Sequence, residues 1–350
     1  MDTCISKLQI GINTFLDWSI NMKIIIPLAG FGSRLRPHTF SKPKPLMNVA
    51  GTPVIGHVLN MFQGVEVEEF IFITGYMGDQ IQEHIRETYP NTSTRFLEQK
   101  QLDGQSPAIL LAKEYVTGPM LIGFADTIVE TDLTKINTAT DEAIAWVKQV
   151  KDPRRFGVVV RNSNGYVTQI IEKPESMDNN LAVVGFYYLR DSQMLMSAIE
   201  QQINNDKQTK GEYYLADAMQ ILLDQGMQMQ AKEVDVWKDC GKPESLLETN
   251  KHLLEHGHDN STQVQADGFV IVPPVNIHVD AKITNSVIGP HATIGADCTI
   301  TSSIIRDSIL EQGAQIEDAV LTQSLVGRYT KVRGQSSTFN IGDQSAIEFD

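Results

Sequence analysis

Short apolar runs alternate with helical stretches along the first part of the chain. Lys23 to Leu28, Phe70 to Thr74, Thr94 to Leu97 and Met120 to Phe124 are aliphatic runs of strand length, bounded by polar or Gly-rich positions. Between them, Pro53 to Phe62, Gly78 to Tyr89 and Pro107 to Tyr115 carry helical periodicity with Gly or Pro punctuation. Strands separated by helices predict a parallel sheet covered on both faces. From Glu142 the pattern changes. Ala143 to Val150, Gly157 to Arg161, Val167 to Glu172 and Val183 to Leu189 follow in quick succession, and helices are predicted near Gln193 to Asn204 and Tyr213 to Gln225. A mixed extension of the same sheet accommodates them.

A third texture begins near Val264. Aliphatic residues recur every five or six positions at Ile277, Ile283, Ile288, Ile294, Ile300, Ile305, Leu310, Ile316, Leu321, Val326 and Val332. A helical period cannot produce that spacing. A hexapeptide parallel β-helix can, with one aliphatic side chain pointing inward per rung and a small or turn residue at each corner. Gly289, Gly295 and Gly327 directly follow inward positions, as corners require. A β-sandwich with accidental spacing is the rival. The segment holds about ten rungs, little more than three coils at three rungs per coil. Lys242 to His258 reads as a helix joining the two bodies.

Composition narrows the picture. The 350 residues are enough for two domains, and 41% hydrophobic with 21% charged residues is ordinary for a globular chain. The net charge of −14 disfavours a protein that coats nucleic acid or an acidic membrane, so any anion site must be local. Cys4, Cys240 and Cys298 have no paired spacing, which points to a reducing, cytoplasmic setting. Residues 1–21 contain Asp2, Lys7 and Asp17 and no unbroken apolar run, which argues against a signal peptide. They are expected to be a dispensable extension. The expected divisions are a catalytic domain over 22–258, the repeat over 264–338 and a tail over 339–350.

The strongest chemical signal follows the first strand. From Trp18 to Val65 there is no Asp or Glu, in a chain with 43 of them, while Lys23, Arg34, Arg36, Lys42 and Lys44 fall inside. Within this window the run Leu28-Ala29-Gly30-Phe31-Gly32-Ser33-Arg34 lets bare backbone N–H groups approach phosphate oxygens. It is not a P-loop, because no Gly-Lys-Ser/Thr follows. It is not a dinucleotide fingerprint either, because Ser33 stands at the third glycine and no acid follows downstream. Instead comes Ser41-Lys42-Pro43-Lys44-Pro45-Leu46, in which two prolines stiffen the backbone presenting Lys44. A solvated Pro-rich loop is the bland alternative.

The run Leu28-Ala29-Gly30-x-Gly32-x-Arg34-Leu35-x-Pro37-x-Thr39, then Pro43-Lys44-Pro45-Leu46 and Gly51-x-Pro53, resembles the signature of the sugar-phosphate nucleotidylyltransferases. Glu172-Lys173-Pro174 resembles that family's sugar-phosphate motif and Gly185-Phe186-Tyr187 its sugar-pocket strand. Gly211-Glu212 with Asp217 resembles the next helix start, and Trp237-x-Asp239-x-Gly241-x-Pro243 the second metal motif. With the repeat, the whole is similar to a long form of the family. The resemblance implies a Rossmann-like mixed sheet carrying a C-terminal left-handed parallel β-helix. It implies Mg²⁺-dependent transfer of a nucleotidyl group from dTTP or UTP to a sugar-1-phosphate, glucose-1-phosphate foremost, in a homo-oligomer. By the same resemblance Leu28, Ala29, Gly30, Gly32, Ser33, Gln99 and Gly104 bind the nucleotide, and Gly157, Glu172, Lys173, Gly185, Tyr187 and Glu212 the sugar phosphate. The resemblance further implies that Gln99 and Gly104, which occupy the matching spacing, read a pyrimidine edge. Two departures stand out: Ala125 replaces a glycine before Asp126, and Gly104-Gln105-Ser106 replaces a Gly-Thr-Ala turn.

The residues support transferase chemistry in their own right. A sugar-1-phosphate is mostly dianionic near neutral pH and attacks without a general base. The protein must suppress charge repulsion instead, with a cationic clamp on the nucleotide, a metal bridging the phosphates and a separate cation on the incoming phosphate. Arg34 and Lys44 suit the clamp, and by resemblance Lys173 the last role. Asp126 ends the strand Leu121 to Phe124, where open α/β sheets bind ligands, and Mg²⁺ takes one or two carboxylates, so Asp239 is the second candidate. His252, His256 and His258 read as a polar helix end, and Met194, Met196, Met227 and Met229 as gap fillers. His278 and His291 tempt an acetyltransferase reading, which so short a repeat disfavours. A purine-specific nucleotidyltransferase and an inactive regulatory homologue remain the alternatives.

Overall fold

A computed structural model describes residues 22–334. The expectations for 1–21, for the end of the repeat past 334 and for the 339–350 tail lie outside the described residues. The first strand, β1 (Met22–Pro27), runs through the middle of the molecule. Its Ile24 and Ile26 are buried in one layer with Phe72, Leu121 and Phe186. Ile25 is buried in the opposite layer with Ile71, Ile73 and Ile122. Alternation of side chains about a strand covered on both faces explains why the run from Ile24 onward is apolar at every position, Lys23 standing at its start.

Beside β1 lie β2 (Val67–Thr74) and, beyond it, β3 (Thr94–Glu98), both parallel. On the other flank is parallel β4 (Met120–Gly123), followed in the chain by β5 (Thr127–Glu130), which leaves the main sheet. The sheet continues through β6 (Ala143–Gln149), β7 (Gly157–Arg161), β8 (Val167–Glu172), β9 (Leu181–Leu189) and β10 (Met229–Glu233). Strand β9 pairs antiparallel with β4 and β6, and β10 adds parallel to β6. The predicted mixed extension is therefore present. Strand β10 was not foreseen, because its sequence Met-Gln-Ala-Lys-Glu lacks a β-branched run.

Helices α1 (Val54–Asn60), α2 (Gly78–Thr88), α3 (Gln105–Leu110), α4 (Ser192–Asn204) and α5 (Leu215–Asp224) connect these strands. In α2, Ile81 and Ile85 are buried one turn apart, the pattern that predicted it. The stretch expected as one helix from Pro107 to Tyr115 is instead α3 followed by a separate turn at Lys113–Tyr115. Strand β11 (Val236–Asp239) then pairs antiparallel with β5, with Asp239 opposite Thr127. Helix α6 (Pro243–Leu253) leads out, starting at a proline that needs no N–H there. It ends short of the expected His258, because His256 and Gly257 take non-helical angles and break it.

The C-terminal repeat is a parallel β-helix with three sheets of four short strands each, consistent with left-handed winding. Four coils are present among the described residues, where about ten rungs and little more than three coils were expected, because the strand at Val270–Ile271 opens the stack ahead of Ile277, the first position counted. Inward positions stack in register: Ile277, Ile294, Leu310 and Val326 form one column. Ile283, Ile300, Ile316 and Val332 form a second, and Ile288, Ile305 and Leu321 a third. Successive coils advance by 16 or 17 residues rather than 18, as in Val275↔Ala292 and Ile309↔Leu325. The shortening comes from corners turned by one left-handed residue. Asn285, Ser302 and Asp318 occupy one edge, and His291, Asp307 and Gln323 another, all at positive φ. Asn and Asp tolerate that conformation because the short side chain bonds locally.

Candidate active site

The loops after β1, β3 and β4 meet at the carboxyl edge of the parallel strands, where open α/β sheets carry ligands. They enclose a cavity of about 550 Å³ lined by Leu28, Ala29, Gly30, Gly32, Ser33, Arg34, Lys44, Gln99, Gly104, Asp126 and Glu212, among others. The backbone of Leu28 donates to Ile73 O at 2.7 Å, so the loop leaves directly from the sheet. Gly32 takes a left-handed φ of 62°, and a Cβ there would lie 3.0 Å from Lys44 Cβ and 3.1 Å from Thr39 Cγ2. Glycine is required for the loop to fold against the Lys44 segment. Thr39 Oγ1 donates to Gly32 O at 2.9 Å and secures the turn.

Lys44 and Asp126 form an ion pair across the cavity wall. Burial pushes the Asp126 carboxyl up, but the charges of Lys44 and Arg34 outweigh it and hold the group below the usual carboxylate range. Asp239 reaches the same place by another route. In the β5–β11 ribbon, Asp239 faces Thr127, and Cys240 N donates to Asp126 O at 2.8 Å. Gly241 N donates to Asp239 Oδ1 at 2.8 Å. A Cβ on Gly241 would lie 2.7 Å from that oxygen, 3.1 Å from Arg34 Nη2 and 3.4 Å from Lys44 Nζ. One carboxylate and two cations thus converge on Gly241, and Asp126 joins them through its ion pair with Lys44. Burial raises the Cys240 thiol to about 12, so it is no nucleophile here.

A resident divalent cation is implied by the chemistry the sequence suggests. The donor set fits a hard ion such as Mg²⁺: two carboxylates from neighbouring strands, with remaining ligands left to phosphate and water. Among the described residues no group of three or more His, Cys, Asp or Glu side chains could form an all-protein metal cage.

The other end of the site is built from β8 and the segment entering α5. Lys173 takes a left-handed φ of 46°, and its N–H is bonded to Phe156 O at 3.0 Å. Its ammonium hydrogen-bonds the Tyr214 hydroxyl, and Nζ lies 4.1 Å from that ring's centroid. Glu172 turns toward Gly157, where a Cβ would lie 3.0 Å from Glu172 Oε2. Burial raises the Glu172 carboxyl to about 7, with nearby Asp217 and Glu212 adding to it against the pull of Lys173 and Lys210. Burial, with the neighbouring Glu172 charge, also raises the Tyr187 hydroxyl. Gly185 sits at positive φ behind the cavity residue Phe124, 3.0 Å from where its Cβ would fall. Glu172, Lys173, Gly157, Gly185, Tyr187 and Asp239 therefore adjoin the cavity without lining it.

Gln99 is buried, and its Nε2 donates to Gly104 O at 3.1 Å. Gly104 has φ 130°, and a Cβ would come within 2.5 Å of Tyr213 O. Ser106 N to Tyr213 O and Tyr213 N to Asp103 O, both 3.0 Å, tie this loop to the Glu212–Tyr214 segment. Glycine, not its departure Gln105-Ser106, carries the close approach. Sequence reading missed Phe31, Leu102, Phe124 and Tyr214, which also line the cavity. Only Phe31, inside the Gly-rich loop, had a local signal.

The mixed sheet, the Gly-rich loop at its carboxyl edge and the converging carboxylates and cations set the chain among Rossmann-like α/β proteins built around a phosphate-bearing ligand. It belongs to the nucleotidyl transferase family, whose sequence profile matches residues 23–256. It is 34% identical over 234 residues to the bifunctional protein GlmU of Methanocaldococcus jannaschii, covering 67% of this chain and 55% of that protein. The chain thus spans about half the length of that relative. With a glucose-1-phosphate thymidylyltransferase of Streptomyces griseus it shares 26% identity over 342 residues, 89% of this chain and 93% of the other. The fold is shared with a UDP-glucose pyrophosphorylase solved with UDP-glucose, at a TM-score of 0.59 and 20% identity, over 67% of this chain and 98% of that one. Among the described residues no helix is long and apolar enough to cross a membrane.

Proposed function

We propose that this protein transfers a nucleotidyl group from dTTP or UTP to a sugar-1-phosphate, glucose-1-phosphate foremost, and releases pyrophosphate. The observation that carries this reading is the convergence of Arg34, Lys44, Asp126 and Asp239 at one end of a cavity whose other end adjoins Lys173, Glu172 and Glu212. Two anionic substrates need a cation at each end, and the joint retention of Arg34, Lys44, Asp126, Lys173 and Asp239 argues against a regulatory homologue without turnover. A phosphate oxygen of the sugar-1-phosphate attacks the nucleotide α-phosphorus in line. The bond from that phosphorus to the bridging oxygen breaks, and pyrophosphate leaves with the electron pair.

Arg34 and Lys44 bind the triphosphate and stabilise the charge that develops on the leaving group. Lys173 holds the incoming phosphate, its ammonium oriented by Tyr214. Asp126 and Asp239 would hold Mg²⁺, which when bound supplies charge neutralisation between the phosphates. Glu172 and Glu212 accept hydrogen bonds from sugar hydroxyls. With Nε2 of Gln99 committed to Gly104 O, its Oε1 remains an acceptor for the N3–H of thymine or uracil.

The test is pyrophosphate release from a panel of dTTP, UTP, GTP and ATP against several hexose-1-phosphates. Turnover with dTTP or UTP at least tenfold above the purines is the expected result. A purine preference would remove Gln99 from base selection, and no turnover with any pair would overturn the enzymatic reading.

A further inference from the structure

Lys44 stands on a segment held from outside its own domain. Glu311, at the corner after the Ile309–Leu310 rung of the β-helix, is only 3% exposed. Its Oε2 accepts from Lys42 Nζ at 2.7 Å and its Oε1 from the backbone N–H of Asn48 at 3.0 Å. One coil further on, Arg328 Nη2 donates to Ser41 O at 2.9 Å. The three ties fall on residues 41, 42 and 48. Between them lies one tight turn, closed by Leu46 N to Pro43 O at 2.9 Å and Met47 N to Lys44 O at 3.0 Å. Pro43 and Pro45 stiffen it, so fixing its two ends fixes the base of the Lys44 side chain.

Apolar cover alone would join the two bodies. A buried carboxylate with both oxygens committed to one loop adds direction, which apolar contact does not. Burial disfavours the Lys42 ammonium and Glu311 only partly offsets this, so removing either partner leaves a buried group without its counter-charge.

We propose that Glu311 is a positioning residue for nucleotidyl transfer, through which the β-helix holds the 41–48 segment so that Lys44 stands where the nucleotide phosphates bind. This rests on the reading of Lys44 as the nucleotide-side cation. The β-helix then acts on catalysis without contributing a group to the cavity.

The experiment uses the full chain with the nucleotide and sugar phosphate turned over best in the panel. Glu311→Gln is expected to lower kcat at least tenfold and raise KM for the nucleotide at least threefold, with KM for the sugar phosphate within twofold. A merely structural role would move both KM values together. Lys42→Met should give the same pattern, and the double variant should be no worse than either single one, because both remove one tie. A folded Glu311→Gln protein with kcat and both KM values within twofold of the parent overturns the proposal, as do equal rises in both KM values. If Glu311→Gln does not fold, Arg328→Ala removes the less buried tie. A threefold fall in kcat with the same KM split is then expected, and unchanged kinetics overturn the proposal. Lys44→Ala separates the two ideas. If it is inactive while Glu311→Gln is normal, only the positioning role fails. If Lys44→Ala turns over normally, the reading of the site fails as well.

Discussion

Asp126 and Asp239 occupy one patch of surface, yet their surroundings differ. Asp126 is engaged by Lys44 and held ionised by two cations, whereas Asp239 is steadied by the backbone of Gly241. Asp126→Asn and Asp239→Asn should each lower kcat by about a hundredfold or more, roughly 3 kcal/mol of transition-state stabilisation, with circular dichroism unchanged. Near-normal turnover removes that residue from the metal site. Lys173→Ala should raise KM for the sugar phosphate several-fold more than KM for the nucleotide, since it removes a cation from one anion only. Equal effects on both substrates contradict that assignment. Glu172 gives a pH dependence. Its carboxyl titrates near 7 in the fold against an ordinary 4.5, so between those values the folded protein holds a proton that the unfolded chain has lost. Stability therefore falls as pH rises through that window, and the loss is complete above about 7. Glu172→Gln should raise Tm at pH 8 by a few degrees and leave it nearly unchanged at pH 4; thermal scans at both pH values that show no difference from the parent would reject the shift.

Among the elements, α6 does more than connect. Asn250 is buried on it, where Oδ1 accepts from Ala50 N at 2.9 Å and from Thr293 Oγ1 at 2.6 Å, and Nδ2 donates to His291 O at 3.1 Å. One side chain therefore joins the signature loop, the helix and the β-helix. Asn250→Ala should leave these groups unpaired and cost about 1–3 kcal/mol for each one kept from water. The measurement is the denaturation midpoint in urea, and an unchanged midpoint would mean that water replaces the amide. Strand β9 is divided by Gly185, whose positive φ breaks its pairing with β6 between Val183 and Tyr187. Beyond the break Tyr187 to Leu189 pair with β4 and β6 at once, and at it Gly185 O accepts from the backbone N–H of the cavity residue Phe124 at 3.2 Å.

For the molecule as a whole, the β-helix is both a self-contained stack and a cover. Ile309 is buried with the core of the sheet body, and Leu325 packs against the same core. On another face Val270, Ile304 and Val320 lie in one register column and are exposed. We propose that the protein is a homo-oligomer, and truncation after His258 should uncover Met47 and its neighbours, lower stability and weaken that assembly, while any soluble remainder keeps its base and sugar preference. If Glu311 acts as argued, that remainder also turns over more slowly. Sedimentation with the substrate panel checks this. An unchanged oligomer or an altered preference would mean the repeat has a different role.

The local sequence was sufficient wherever a physical constraint repeats within a few residues. The inward positions from Ile277 to Val332 were legible, because each rung must bury one aliphatic side chain whatever surrounds it, whereas Ile271 at the head of the third column was not read. The Gly-rich loop was legible as a lining of the cavity, because its small residues and the absence of nearby acids are features of adjacent positions. What the sequence left open are pairings made by strand register and packing. Nothing in the spacing brings Asp239 beside Asp126; the β5–β11 ladder does. Lys44 meets Asp126 across 82 positions and Lys173 meets Tyr214 across 41. Lys42 meets Glu311 across 269, and in the sequence that glutamate is one more polar corner residue of a repeat. Only the docking of the β-helix on the signature loop makes it a buried counter-charge, because burial and charge pairing belong to the packed chain and not to any window along it.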